Sequence, residues 1–377
     1  MSKILFITNT ANKIGSFSTA SIQAAQKTGI EFNMVACWSC SKEEMNKLEK
    51  EFGVKLHHVE LDRSPYSFKN YSAFKQIEKI ICEEGIDYIH CNTPVGGILG
   101  RLAGKKCKVK KVIYQAHGFH FYKGAPIKNW LMYYPVEKLL ARFTDAIITI
   151  NKEDYELAKS KLKLRNGGKV YYVPGVGIDT SQYSTNTTLR KDKRIEMGLQ
   201  ESDIALISMG DLIERKNYDT AIRAIAEAHN KNLQYYICGK GPEEENLKKL
   251  AQKLGIAKQI HFLGFRSDVK ELLAASDIFL FTTKQEGLPR SMMEAMASGL
   301  PCIASKIRGN SDLLENSGGG FLCDATDACL FAQKINLVAG DDIVRKEMGK
   351  NNLINIRKFN TETVNEEMFK VYFAELQ

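Results

Sequence analysis

At 377 residues the chain is longer than one ordinary hydrophobic core fills, and its 44% apolar and 26% charged content excludes a disordered or fibrous protein in favour of a globular one of two domains. No apolar run approaches the roughly 20 residues that a bilayer span needs, and nine scattered cysteines fit a reducing compartment better than a disulfide framework. The net charge of +9 belongs to the first half: residues 1–175 hold 27 Lys and Arg against 16 Asp and Glu, residues 176–377 hold 26 against 28.

The opening "MSKILFITNT" passes from one lysine straight into a strand pattern, without the length or the cleavage site of a signal peptide, so a cytoplasmic location is expected. Short β-rich runs then alternate with amphipathic helical segments: "KILFITN", "FNMVACW", "VKLHHVEL", "DYIHCNT", "KVIYQAHG", "DAIITIN" and "VYYVPG". Cys37 and Cys40, with no second pair at metal-ligand spacing, read as two thiols at a strand end. Much of the positive excess lies in "RLAGKKCKVKK" and in Lys123, Lys128, Lys138 and Arg142, a pattern suited to an anionic membrane surface or a phosphorylated substrate. In "KGAPIKNWLMYYPVEKLLARFTD" (123–145), Trp130, Leu131, Tyr134, Leu139 and Leu140 sit among Lys128, Lys138 and Arg142, as in a helix that either lies on a membrane or packs with one solvated face.

"PGVGIDTSQYSTNTTLRKDKR" (174–194) has no periodicity and reads as a linker, after which the strand rhythm restarts with "IALISMG", "LQYYICG", "QIHFLG", "DIFLFTT" and "PCIAS". Strands spaced by helices imply right-handed βαβ units and parallel sheets. The expectation is α/β: two doubly wound domains, 1–175 and 176–359, with the ligand beyond the carboxyl ends of the strands and in a cleft between the sheets.

One stretch carries most of the chemistry. In "QEGLPRSMMEAMASGLPCIAS" (285–305), Glu286 ends a strand loop and Glu294 follows eight residues later on a helix of Met, Ala and Ser, begun by Pro289 and closed by Gly299. Burying Glu294 alone on such a helix would cost several kcal/mol, so a polar partner is expected, either a local one or a sugar's hydroxyls. His117, at a strand end before Gly118, is placed for a reaction centre; His120 is a weaker candidate. The sequence has no Gly-x-Gly-x-x-Gly after a strand, no Walker A motif and no Asp-x-Asp, so neither a dinucleotide cofactor nor a catalytic metal is expected.

"EGLPRSMMEAMASGLPCIAS" resembles the Glu-x7-Glu block of retaining, GT-B-fold glycosyltransferases of family 4, and "HCNTPVGGILGRLAG", "AHGFHFYKGAP", "YYVPGVGID", "ICGKGPEEENL" and "FLGFRSDVKELLAASDIFLF" resemble segments of its capsule and exopolysaccharide branch. The resemblance implies two Rossmann-like domains facing each other across a cleft: the first for the acceptor, the second for the nucleotide sugar, and a C-terminal helix at about 360–377 packed back on the first. It implies transfer from a nucleotide diphosphate sugar, a UDP-sugar, to a glycan acceptor linked to polyprenyl diphosphate, in bacterial surface polysaccharide synthesis, by a protein peripheral to the inner face of the membrane. No nucleic acid partner and no cofactor are implied. Carried onto this chain, Glu286 contacts the transferred sugar, Glu294 the ribose, Lys216 the diphosphate and His117 the sugar, with Gly287 and Leu288 beside the donor. Where relatives have Gly-Arg after a strand, this chain has Gly210-Asp211, and Arg215 is the candidate replacement. The phosphate loop after the first strand keeps only Gly15. A GT-B-fold sugar-nucleotide epimerase and a non-catalytic membrane-associated partner in polysaccharide assembly are the alternative readings; the Glu-x7-Glu block argues against the first, and the intact Lys216, Glu286 and His117 against the second.

Overall fold

The computed structural model describes residues 1–183 and 187–377. They divide into two units, Met1–Gly177 with Thr361–Gln377, and Ile178–Asn360. The first contains β1 (Lys3–Ala11), α1 (Ser16–Lys27), β2 (Glu31–Trp38), α2 (Lys42–Phe52), β3 (Lys55–His58), α3 (Lys69–Glu84), β4 (Tyr88–Asn92), α4 (Pro94–Cys107), β5 (Lys111–Ala116), α5 (Ile127–Ala141), β6 (Ala146–Thr149), α6 (Lys152–Lys161) and β7 (Lys169–Tyr172). The second runs through α7 (Thr187–Glu196), β8 (Ile204–Met209), α8 (Tyr218–Glu227), β9 (Leu233–Cys238), α9 (Glu244–Lys253), β10 (Ile260–Gly264), α10 (Val269–Ala275) and β11 (Ile278–Phe281). It continues with α11 (Arg290–Ala297), β12 (Cys302–Ser305), α12 (Asn310–Leu314), β13 (Gly320–Cys323), α13 (Ala328–Gly340) and α14 (Asp342–Asn355), and α15 (Thr361–Leu376) returns to the first unit.

Among the described residues each unit has one parallel sheet, ordered β3-β2-β1-β4-β5-β6-β7 and β10-β9-β8-β11-β12-β13. Helices cover both faces, which explains the unbroken apolar runs of the strands: Ile4, Leu5, Phe6 and Ile7 are all at most 1% exposed. In both sheets the order reverses beside the first strand, between β1 and β4 and between β8 and β11, and at such a switch point the loops diverge and leave a crevice. On α15, Val364, Met368, Val371 and Tyr372 share one face and join the core beneath β1 and β4, where the Tyr372 hydroxyl lies 2.8 Å from His90 Nδ1. No helix of the described residues is long and apolar enough to cross a membrane.

Two sequence expectations change. The aperiodic linker at 174–194 gives way to helix α7 from residue 187, while residues 184–186 of it lie outside the described residues. A helix of polar composition persists there because Arg190 and Arg194 fork onto the Asp277 carboxylate and onto the carbonyls of Ala274, Ala275 and Ser276 at the end of α10. The sequence reading also omitted β13, whose four residues follow two glycines, begin with a third and leave too short an apolar run to register.

Candidate active site

The switch point of the second unit is built by two loops. After β8 the chain turns through Gly210 and a short 3-10 turn, Glu214–Lys216, and Asn217 takes a left-handed conformation at φ 57°. Asn217 holds this turn to the end of β11: its Nδ2 donates to the carbonyls of Thr282 (2.9 Å) and Ala325 (2.8 Å), and its own carbonyl accepts from Thr282 Oγ1 (2.8 Å). Lys216 is thereby directed across the Phe281 ring, 5.1 Å from its centroid, onto Glu286. Gly210 suits this turn, because its backbone stands at φ 150°, which L side chains rarely adopt, and a β-carbon there would crowd Lys216 Cε at 3.1 Å.

Glu286 is fixed from several sides. Its Oε1 accepts from Lys216 Nζ at 2.8 Å, Arg215 Nη1 at 3.0 Å and Thr283 Oγ1 at 3.0 Å, while Arg308, 6% exposed, donates from Nε to its backbone carbonyl at 3.0 Å. Among the described residues none donates to its Oε2, so one carboxylate oxygen is held and the other is open to a ligand. The neighbouring Gly287 and Leu288 backbones lie against Gly309, where a β-carbon would come within 2.3 Å of the Gly287 carbonyl.

Glu294 does have a partner on its own helix. The sequence reading saw only Met, Ala and Ser around it, but α11 begins at Arg290, one turn earlier, whose Nε donates to Glu294 Oε1 at 3.0 Å. Tyr183 stands near the same carboxylate, and burial followed by that negative charge raises the tyrosine's pKa. Lys216, Glu286, Arg290, Ser291, Glu294 and Gly210 line one cavity of about 330 Å³. Its walls thus carry two cations and two carboxylates, within the size range of small-ligand pockets. Asp211 is exposed, and Arg215, 40% exposed in its side chain, reaches Glu286 and the Gln285 carbonyl from behind; neither lines the cavity.

His117 and Gly15 belong to the other unit. His117 follows β5, its Nε2 lies 3.0 Å from Asn92 Oδ1, and burial lowers its pKa to about 4, so the imidazole is neutral at pH 7. His120 stacks on Tyr133 of α5, with ring centroids 4.6 Å apart. Gly15 precedes α1 with an ordinary extended backbone, and a β-carbon there would meet open space. The first unit's switch point also contains residues that the sequence reading missed. Asn9, within a register shift of β1 between Ile7 and Thr10, accepts at Oδ1 from Gly96 N (2.9 Å) and Thr93 Oγ1 (2.6 Å), and Thr93 stands at φ 64° and ψ 160° before α4. A β-branched residue in that region is strained, and such strain concentrates at binding sites. The available signal was the Asn-Thr that ends both apolar strands, in "FITNT" and "IHCNT".

Comparison with known proteins agrees in each half of the chain. Residues 190–353 match the family model for glycosyl transferases group 1, and residues 3–151 match that for glycosyl transferase 4-like proteins. The chain is 36% identical over 321 residues to EpsD of Bacillus subtilis (strain 168), covering 84% of each. It is 30% identical over 288 residues to the UDP-Gal:alpha-D-GlcNAc-diphosphoundecaprenol alpha-1,3-galactosyltransferase of Escherichia coli, covering 75% of this chain and 74% of that one. Among solved structures, HepE of Anabaena in complex with UDP-glucose superposes with a TM-score of 0.79 at 20% identity over 99% of this chain and 100% of that one. WaaG, a glycosyltransferase of lipopolysaccharide biosynthesis, gives 0.72 at 16% identity, covering 98% and 99%. Both likenesses are of fold, the GT-B arrangement of two Rossmann-like domains.

Proposed function

The chain belongs to the group 1, family 4-like glycosyl transferases of GT-B fold, and from that premise we propose that it transfers a sugar with retention from a UDP-sugar to a polyprenyl-diphosphate-linked glycan in bacterial surface polysaccharide synthesis. The observation that carries the reading is the 330 Å³ cavity at the β8/β11 switch point, where Lys216 and Arg290 face Glu286 and Glu294. The diphosphate lies against Lys216, whose ammonium is already aligned and stabilises the charge that grows on the leaving group. Glu286, held at Oε1, presents Oε2 to a hydroxyl of the transferred sugar. Glu294 takes the ribose hydroxyls in place of part of its pairing with Arg290, and Arg290 is then released toward the phosphates. Arg215 substitutes for the missing clamp arginine only indirectly, by holding Glu286 and its loop; Gly287 and Leu288 shape that loop behind the donor.

The first unit receives the acceptor. His117, neutral at pH 7, donates or accepts a hydrogen bond at the sugar, and Gly15 leaves room for the donor phosphates at the start of α1. No side chain acts as nucleophile: the acceptor hydroxyl passes its proton to the departing phosphate oxygen as it attacks the same face of the sugar. The two cations supply the neutralisation that a divalent metal gives elsewhere. A lipid-linked acceptor is supported by the diphosphoundecaprenol-linked substrate for which the Escherichia coli relative is named, and a UDP donor by the UDP-Gal in that name and by the UDP-glucose complex of HepE. Such a reaction suits a cytoplasmic protein at the inner face of the membrane.

The test is a panel of nucleotide sugars with the purified chain, following nucleotide release without and with a polyprenyl-diphosphate-linked sugar. One UDP-sugar is expected to be consumed, faster with acceptor, giving a product of the donor's anomeric configuration. Release from none of them, or an inverted product, would overturn the reading.

A further inference from the structure

The loop between β3 and α3 leaves the carboxyl edge of the first sheet and is built to hold its shape. Asn70, 6% exposed, clamps it: Oδ1 accepts from Asp62 N at 3.0 Å and Nδ2 donates to the Ser64 carbonyl at 2.7 Å. Asp62 Oδ1 in turn accepts from Ser64 N at 2.9 Å, and Pro65 fixes one further backbone angle. From this frame Tyr66 (80%), Phe68 (96%) and Tyr71 (69%) stand in solvent, with Lys75 5.8 Å from the Tyr71 ring centroid. A clamped loop that exposes three rings within six residues forgoes the burial that aromatic side chains normally gain, which marks a binding surface. Its charges single out one residue. Glu60 lies 3.9 Å from Lys69 and Glu78 3.2 Å from Lys75, but among the described residues no carboxylate pairs with Arg63. Arg63 reaches back to the end of β1, where its Nη2 donates to Thr10 Oγ1 at 3.5 Å. Thr10 follows Asn9, which holds the strained Thr93, so the arginine stands beside the crevice at the β1/β4 switch point.

We propose that this loop holds the sugar diphosphate head of the acceptor, the Arg63 guanidinium taking the diphosphate and Tyr66 and Phe68 stacking on the pyranose ring attached to it. The proposal rests on the lipid-linked acceptor proposed above and names the residues that read it. Charge selects this occupant. A single unneutralised guanidinium suits one compact anion, and its planar fork matches phosphate oxygens two at a time. Composition selects it too. Residues 62–72 carry the three rings and the exposed hydroxyls of Ser64 and Ser72, but no Leu, Ile, Val or Met. Such a surface offers flat apolar faces to the C–H side of a pyranose and hydrogen bonds to its rim, whereas a partner helix is met by a groove of aliphatic side chains.

The experiment is calorimetry on the full chain with two probes, farnesyl diphosphate and farnesyl diphosphate carrying N-acetylglucosamine on its terminal phosphate. The sugar-bearing probe should bind roughly three- to ten-fold more tightly, the size of a stacking contact. Arg63→Ala should weaken both probes by roughly ten-fold or more, as loss of a charge-assisted pair does, and Arg63→Lys should restore part of the loss. Tyr66→Ala with Phe68→Ala should weaken the sugar-bearing probe alone, down to the affinity of bare farnesyl diphosphate. Urea midpoints of all these variants should match that of the unaltered chain, because the side chains removed are exposed. The binding arms need no turnover, so failure of the transferase reading, seen as absence of sugar transfer, is read separately. Three results would overturn the proposal: no binding of either probe to the unaltered chain, undiminished binding of both by Arg63→Ala, or equal loss of both in the double aromatic variant, which would put the hydrocarbon chain rather than the sugar on the rings.

Discussion

The ammonium of Lys216 lies 2.8 Å from Glu286 Oε1, and both side chains are 13% exposed. A pair so placed fixes a cation at the cavity wall before any donor arrives, which is the preorganisation that makes a charge effective in a transition state. Lys216→Ala should therefore lower turnover by about two orders of magnitude. Arg215→Ala, which removes a support behind Glu286 rather than a cavity wall, should lower it by only about ten-fold, as loss of one charge-assisted hydrogen bond does. Steady-state nucleotide release on both variants distinguishes them; equal losses would put Arg215 on the diphosphate itself.

Metal dependence follows from the same wall. If Lys216 and Arg290, which both line the cavity, neutralise the diphosphate, no divalent ion is needed and activity should survive EDTA. Loss in chelator that magnesium or manganese restores would show that the two cations do not suffice.

Strands, their parallel order and the two carboxylates were legible because each rests on local signals: unbroken apolar runs for buried strands and a Gly-Leu-Pro turn before the helix of Glu294. What escaped depends on contacts distant in sequence. The polar helix α7 exists through the grip of Arg190 and Arg194 on Asp277, more than 80 residues away. Arg308, 22 residues beyond Glu286, is identified only by its hydrogen bond to that residue's carbonyl. The pairing of Glu294 with Arg290 was legible too, since the two are four residues apart on one helix.

Acid should loosen the first unit. His90 has no exposed surface, and burial holds its pKa near 3 against an ordinary 6.5. Between those values the unfolded chain binds a proton that the folded one does not. Stability from the neutral ring is thus fully present above pH 6.5 and is lost as the pH falls toward 3, by about 2 kcal/mol at pH 5. His117, lowered to about 4, acts in the same sense. Urea midpoints should fall from pH 7 to pH 5, and the fall should be smaller in His90→Gln; an identical pH dependence in that variant would remove His90 as the cause.

The most direct test of the cavity as a nucleotide-sugar site is calorimetry of UDP binding to Glu294→Gln and Glu286→Gln. If Glu294 holds the ribose, replacing its carboxylate with an amide weakens charged hydrogen bonds of about 1.5 to 3 kcal/mol, a loss of roughly ten-fold or more in affinity. If Glu286 faces the transferred sugar, which UDP lacks, Glu286→Gln should bind UDP nearly as the unaltered chain does while its turnover falls. Equal losses of UDP affinity in the two variants, or a loss confined to Glu286→Gln, would contradict the assignment of ribose to one glutamate and sugar to the other.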